Sequence, residues 1–506
     1  MHPSKLNSVE LHGLEGFLVE IEIDRRAGTP MFIIVGLPDT AVQEARERVT
    51  SAVKNSGFEF PRGKIIVNLA PADLKKVGPR YDLPIALGII ALMKQAPLKK
   101  NQNIIMVGEL ALDGKIRPIN GILSSVEFAK SKGFKKIILP LENAKEAALI
   151  PDIKIIPAAN LKEAVMHLKE EISALPIGPP GLKSNRNINI DMSVIKGQEQ
   201  AKRALEIAAA GGHNILLYGA PGAGKTLMAR ALSGILSSMT IDEMLEVSKI
   251  YSIAGLLPKN KPLITNRPFR PVHHTASAMS IVGGGNIPGP GEISLAHRGV
   301  LFMDEIAEFP KNVLEVLRQP MEDKSVTVSR VRGTCTYPCQ FTLVAAMNPC
   351  SCGYHNVDSA GQACTCSAIE VQRYKKRLSG PLLDRIDMFI NVNPVNYSRL
   401  TNGVRSETSN KIGRRIEKAN KIQQIRFKNT NAKCNAEMKN KDIEKHCPLD
   451  DQSKNLLRAA MNQMNLSARG YFRTLKLART IADLERSSKV SSAHIAEALQ
   501  YRSKMF

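Results

Sequence analysis

A chain of 506 residues that is 43% hydrophobic is too long for one core, so two to three globular domains are expected. No run is apolar for long enough to span a bilayer, Pro84 to Met93 being the nearest, and the first ten residues lack a signal-peptide core; a cytoplasmic protein is expected. The net charge of +23 would reward a polyanionic partner through counterion release, though a plain solubility charge reads the same way; with 5% aromatics and no Trp, base stacking is not the expected mode.

Residues 1–172 alternate strands and helices. Phe32 to Val35, Lys64 to Val67 and Lys136 to Leu139 read as strands, and Ala41 to Asn55 and Leu123 to Lys132 as helices. A linker is expected over 173–187, because the Pro and Gly run between Ala174 and Gly181 can continue neither element.

A second domain is expected over 188–395. Its apolar run Ile215 to Tyr218 leads into Gly219, Ala220, Pro221, Gly222, Ala223, Gly224, Lys225 and Thr226, the pattern G-x-x-x-x-G-K-[ST]. The glycines let backbone N–H groups close around phosphate oxygens, Lys225 reaches the terminal phosphates, and the Thr226 hydroxyl can meet magnesium. An ordinary Gly-rich turn needs no Lys-Thr after its last glycine. Val300 to Met303 reads as a buried parallel strand ending in Asp304 and Glu305. Asp304 can hold magnesium through water, and Glu305 can polarise an attacking water. ATP and Mg2+ are therefore the expected cofactors. Phe341 to Ala346 is a third buried strand; beyond its end, Asn348 can orient the water or touch the γ-phosphate.

All eight cysteines follow residue 334, which suits one local site in a reducing compartment. Cys350 and Cys352, then Cys364 and Cys366, flank an eleven-residue loop. Two close thiolate pairs suit a structural zinc with four protein ligands. The C-x-C pairs are tighter than C-x-x-C, so unliganded or redox-active thiols are the alternative, with His355 a weaker ligand. Cys335 and Cys339 fit no pattern, and Cys434 and Cys447 read as incidental helical residues. The last region, 396–506, is expected to be helical, with Ile412, Ile416, Ala419 and Ile422 at helical spacing and further helices near Gly470 to Glu485 and Ser491 to Arg502.

With the box Ile195 to Glu199, the stretch Gly380 to Asp387 and the stretch Leu466 to Arg473, residues 188–506 resemble AAA+ ATPases of the branch holding magnesium-chelatase motors and MCM helicases. The resemblance implies a P-loop α/β core and a helical lid. It makes Asn348 sensor 1, Arg385 an arginine finger serving the neighbouring subunit's nucleotide, and Arg469 sensor 2. Stabilising the γ-phosphate in trans would make oligomerisation part of catalysis. Alternatives are an ion pair of Arg385 with Asp384 or Asp387, and a surface charge at Arg469 with Arg473 as competing sensor. In such motors the Gly-rich loop Ser280 to Glu292 faces the central pore. The stretch Lys324 to Gly333 resembles the hairpin before sensor 1, where Lys324, Arg330 and Arg332 could grip DNA phosphates; a solvated hairpin face is the plainer reading.

Val107 to Ile119 and Lys135 to Asn143 look like the second half of a Lon-type α/β protease domain. Lon proteases use a Ser-Lys dyad. Where the serine belongs, after Gly78-Pro79, stands Arg80; where the lysine belongs stands Leu123, with Ser124 and Ser125 unpartnered nearby. The domain is expected to be a non-catalytic platform. A Lon-like domain followed by a chelatase-type AAA+ domain is the arrangement of the ComM/YifB family. That resemblance implies a hexameric, ATP-dependent DNA helicase promoting branch migration during natural transformation, with recombination proteins as candidate partners and no membrane. The rival is a chelatase-type motor remodelling a protein for metal insertion; a scaffold or a living protease fits the motifs less well.

Overall fold

The computed structural model describes residues 3–97, 103–173, 188–258, 261–286, 288–330, 333–356, 363–394, 406–430, 432–464 and 466–502. The expected linker lies almost wholly outside them.

The amino-terminal part is built on a seven-stranded mixed sheet in the order β3-β4-β2-β1-β5-β8-β9. Its strands are β1 (Ser4–His12), β2 (Glu15–Arg26), β3 (Met31–Val35), β4 (Lys64–Ala70), β5 (Ile104–Met106), β8 (Lys136–Pro140) and β9 (Lys154–Ala158); β6 (Glu109–Leu110) and β7 (Ile116–Arg117) form a small separate pair. The helices Thr40–Asn55 and Ile122–Ser131 start within one residue of the expected positions. In the first, Val42, Ala45, Val49, Ala52 and Val53 form one buried stripe, and Asp39 caps it by accepting from the Val42 N–H at 2.9 Å. The helix Asp82–Leu92 is apolar all round and buried between layers.

The second sheet has five parallel strands: β10 (Ile215–Tyr218), β11 (Phe269–Val272), β14 (Val300–Met303), β17 (Thr342–Met347) and β18 (Met388–Asn391), in the order β11-β14-β17-β10-β18. Every residue of β14 is buried, as a parallel strand covered on both faces requires. Pairing of Tyr218 with Met347 and of Met303 with Ala345 aligns the carboxyl ends of β10, β17 and β14. Loops leaving those ends share one crevice, where ligands bind such sheets.

Two hairpins project from this core: β12 (Gly283–Gly284) with β13 (Gly289–Pro290), and β15 (Ser325–Arg330) with β16 (Gly333–Pro338). They are tied together, as the Tyr337 hydroxyl donates to Pro288 O at 2.8 Å and Arg330 Nη2 donates to Gly283 O at 3.2 Å. The carboxy-terminal helices include Ser409–Arg426, Asp451–Met464, Ala468–Leu484 and Ser492–Gln500. Ile412, Ile416 and Ala419 are buried as their spacing predicts, but Ile422 is only half-buried. Gln423 takes the inner position instead, because its amide can donate to the open carbonyl of Ala210 at 2.9 Å. Cys434 and Cys447 are not mid-helix residues: Cys434 precedes the turn Asn435–Glu437, and Cys447 ends the helix Asn440–His446.

The amino-terminal part docks on the helix Ile241–Ile253, where Gly121 N–H meets Ser252 O at 3.2 Å and Lys249 meets Glu127 at 2.5 Å.

Candidate ATP site and its surroundings

The phosphate-loop sequence forms a strand-to-helix turn, since β10 ends at Tyr218 and a helix runs over Lys225–Ile235. Gly219 passes so close to Val392 that a Cβ would lie 2.1 Å from its carbonyl oxygen, so no larger residue fits there. Gly222 and Gly224 have φ of +76° and +88° with open space where a Cβ would point, which suits a loop that must wrap a ligand. The first turn of the helix after them offers unpaired N–H groups to an anion.

Lys225 is buried at the loop's centre. Its ammonium donates to Gly219 O at 2.7 Å, Ala220 O at 2.8 Å and Asn348 Oδ1 at 2.9 Å. Burial pushes it down to about 8, while Asp304 and Glu305 pull the other way. Thr226 Oγ1 donates to Asp304 Oδ2 at 2.8 Å, so the hydroxyl and the carboxylate lie as two magnesium ligands would. Glu305 has left-handed backbone, with φ and ψ of 50° and 48°. That conformation costs a non-glycine residue about 1–2 kcal/mol and recurs at functional sites. Its N–H returns to Asp304 Oδ1 at 3.0 Å, and its carboxylate stands 3.7 Å from His274. The structure thus brings Lys225, Thr226, Asp304, Glu305 and Asn348 to one crevice. His274 carried no signal in the sequence.

Arg385 is 7% exposed and neither expected alternative partner holds its side chain. It pairs with Glu322 at 2.6 Å and donates to Pro381 O at 2.5 Å. Arg469, 59% exposed, reaches the same Glu322 oxygen at 3.6 Å. Arg473 turns inward, to Ile386 O at 3.1 Å and Asp387 at 3.5 Å, so of the two sensor candidates Arg469 is the accessible one. Glu322, the meeting point, sits in no motif.

The four cysteines converge. Their sulfurs all lie within 4.8 Å of one another, with Cys350 to Cys352 at 3.2 Å, Cys350 to Cys364 at 3.8 Å and Cys352 to Cys364 at 3.6 Å. A tetrahedral Zn–S shell has sulfur edges of about 3.8 Å, so the cluster is of the size zinc takes. The Tyr354 N–H and hydrogen bonding from Cys350 hold the Cys352 thiol down to about 5. The cluster also leans on the phosphate loop: a Cβ on Gly353 would lie 2.6 Å from Pro221.

Lys324 and Arg330, expected to act together, lie at opposite ends of β15; Lys324 is half-buried at the hairpin's base and Arg330 is exposed. Arg332 lies outside the described residues. At the Lon-like positions, Arg80 donates to Val9 O and Asn120 O, each at 3.3 Å, and Leu123 is fully buried. The Ser124 hydroxyl has no partner and that of Ser125 donates to Gly121 O, so no Ser-Lys pair forms there.

Three family matches tile the chain: magnesium chelatase, subunit ChlI, over residues 191–400; subunit ChlI of Mg-chelatase, over 21–143; and magnesium chelatase, subunit ChlI C-terminal, over 406–502. The chain is 42% identical over 500 residues to the competence protein ComM of Haemophilus influenzae, across 97% of this chain and 95% of that protein. It is 42% identical over 487 residues to the uncharacterized protein YifB of Escherichia coli, across 96% and 94%. A Lon protease of Trichlorobacter lovleyi is 26% identical over 187 residues, 35% of this chain and 22% of that protein. No described helix is long and apolar enough to cross a membrane. Full-length identity at this level, over a P-loop crevice of this geometry, places the chain in the ComM/YifB family of magnesium-chelatase-like AAA+ proteins, with a Lon-like amino-terminal region.

Proposed function

We propose that this chain is the subunit of a cytoplasmic, hexameric, ATP-driven DNA translocase and helicase that moves DNA branches during recombination of incoming DNA in natural transformation. The motor half of the reading rests on one observation: Lys225, Thr226, Asp304 and Asn348 are joined by hydrogen bonds of 2.8–2.9 Å at the carboxyl ends of three adjacent parallel strands. Lys225 and the loop amides hold the phosphates of ATP. Thr226 and Asp304 hold magnesium, which neutralises charge on the phosphates when bound. Glu305 polarises the attacking water and Asn348 orients it. Arg469 is sensor 2 and meets Arg385 at Glu322; released from that pair, Arg385 serves a neighbouring subunit's nucleotide and supplies the charge that the transferring phosphoryl group needs. The DNA half rests on the net charge of +23 and on similarity to a competence protein. Arg330 at the tip of its hairpin, with Arg332, grips the phosphate backbone, and Lys324 at the base adds charge. The four cysteines hold a structural zinc. Residues 1–172 form a platform without protease activity, followed by a linker over 173–187, an ATPase core over 188–395 and a helical lid region over 396–506.

The test offers a four-stranded junction or a three-stranded intermediate with ATP and follows strand exchange. ATP-dependent branch movement that is lost in Lys225→Ala supports the reading. If DNA neither binds at moderate salt nor alters ATP turnover, the motor acts on something else. The chelatase-type reading, ATP-driven remodelling of a protein for metal insertion, would then take first place on the strength of the family matches.

A further inference from the structure

Two arginines from the carboxy-terminal helices close on the backbone that carries Arg385. Ile386 O, one residue after the finger candidate, accepts from Arg473 Nη1 at 3.1 Å and from Arg502 Nη1 at 2.8 Å. Arg502 also reaches Asp387 O at 3.3 Å, and its guanidinium lies 5.7 Å over the Phe389 ring. Tyr501 O accepts from Phe389 N–H at 2.8 Å. The Asp387 carboxylate, buried, faces Arg473 at 3.5 Å and His213 at 3.8 Å; His213 in turn meets Thr480 Oγ1 at 2.8 Å. The segment 385–389 is therefore held from the helix Ala468–Leu484 and from the end of the helix Ser492–Gln500. From the core side, Asn214 donates to Arg385 O at 3.0 Å through its side chain and to Asp387 Oδ2 at 3.0 Å through its N–H.

Two charged donors on one backbone carbonyl are a strong, directional attachment, since each hydrogen bond is charge-assisted. Each arginine is committed to this backbone through its Nη1, which fixes where its guanidinium lies. Arg469 lies one turn before Arg473 on the same helix but faces outward. A displacement of that helix therefore moves the Arg473 end against Ile386, and with it the start of the Arg385 side chain. A finger must place its guanidinium to within a fraction of an ångström to stabilise a transferring phosphoryl group, and a 1 Å misplacement costs on the order of 100-fold in rate.

We propose that Arg473 and Arg502 are positioning residues for Arg385, so that the lid of one subunit sets the arginine finger presented to the next. This rests on the reading of Arg385 as a finger acting in trans. The lid then governs hydrolysis next door through the backbone at Ile386, and its own nucleotide site does not depend on either side chain.

The experiment uses the full chain with Arg473→Gln, Arg502→Gln and Arg473→Lys, beside Arg385→Ala. ATP affinity and KM should stay within about twofold of the parent, while kcat falls at least about tenfold in the glutamine variants. Arg473→Lys, which keeps a charged donor, should recover part of that loss and serves if the glutamine variants do not fold. Mixing either variant with Glu305→Gln subunits should restore turnover, because some interfaces pair an intact Glu305 with an intact finger. In the Arg385→Ala background the residual turnover should fall no further, as expected of a residue acting only through the finger. Loss of the variant's own nucleotide binding, or no recovery at any mixing ratio, would mean a damaged lid and overturns the proposal. Parent-like kcat in both glutamine variants overturns it too. If Arg385→Ala itself hydrolyses ATP normally, the finger reading has failed, and that result is separate from the others.

Discussion

The ammonium of Lys225 is enclosed by two loop carbonyls and the Asn348 amide oxygen, and this makes nucleotide binding sensitive to pH. Burial lowers its pKa to about 8, against the pull of Asp304 and Glu305. Bound phosphates add negative charge and favour the protonated form, so they raise that value. Below about pH 8 the lysine already carries its proton and ATP affinity should be flat. As pH rises through about 8 the free protein loses the proton, so binding must recover one and affinity falls. Calorimetry in two buffers of different ionisation enthalpy should show proton uptake above about pH 8 and almost none near pH 7. Affinity that is level from about pH 7 to pH 10, with no proton uptake, would remove Lys225 from the phosphate contact. Glu305 is special for another reason: its backbone is left-handed, and its carboxylate stands beside His274.

The cysteine cluster is an element of its own, and its position ties it to the ATP crevice. Gly353 touches Pro221, and the Tyr218 hydroxyl reaches Pro349 O at 3.5 Å, so the segment after Asn348 lies against the phosphate loop. Purified, unchelated protein should carry about one zinc per chain. Cys352→Ser should lower zinc content and weaken ATP binding several-fold, through loss of the prop behind Pro221. Elemental analysis without zinc would sink the metal assignment, and unchanged ATP affinity after chelation would sink the coupling. The hairpin β15–β16 is stiffened on its exposed face by Thr327–Thr336 and Ser329–Thr334 hydroxyl pairs at 3.1 Å and 3.0 Å. Arg330 at its tip is bonded to Gly283 of the Gly-rich hairpin. Replacing Arg330 and Arg332 together by Ala should therefore reduce DNA stimulation of ATP turnover at least about threefold, read as the ratio of turnover with and without DNA. An unchanged ratio would take the hairpin out of the DNA path.

Across the whole molecule, the excess of 70 basic over 47 acidic residues bears on the partner, and the ATP site accounts for little of it. If that partner is DNA, log affinity should fall linearly with log salt, losing on the order of 10- to 1,000-fold between about 50 and 200 mM as counterions cease to be released. A salt-independent association would point to apolar contacts and a protein partner. The Lon-like part is not free of the motor, since Gly121 meets Ser252 and Gly13 packs against Cys335, which stands opposite Val328 midway along the hairpin.

The phosphate loop, the acidic strand end and the cysteine pairs were legible in the sequence. Each is a local pattern whose residue types the chemistry dictates, and the elements around them follow from apolar periodicity. The sequence also placed the helices Thr40–Asn55 and Ile122–Ser131 to within a residue or two. It could not choose between Arg469 and Arg473, because residues four apart share a helix face. Only packing shows that Arg473 is spent on Ile386 O while Arg469 looks outward. Nor could it find Glu322, which meets Arg385 from sixty-three positions away, or the inward turn of Gln423 beside Ile422. Ion pairs and hydrogen bonds between distant segments leave no periodic trace in a sequence. They are settled by how helices and sheets pack, and so they exist only in the tertiary structure.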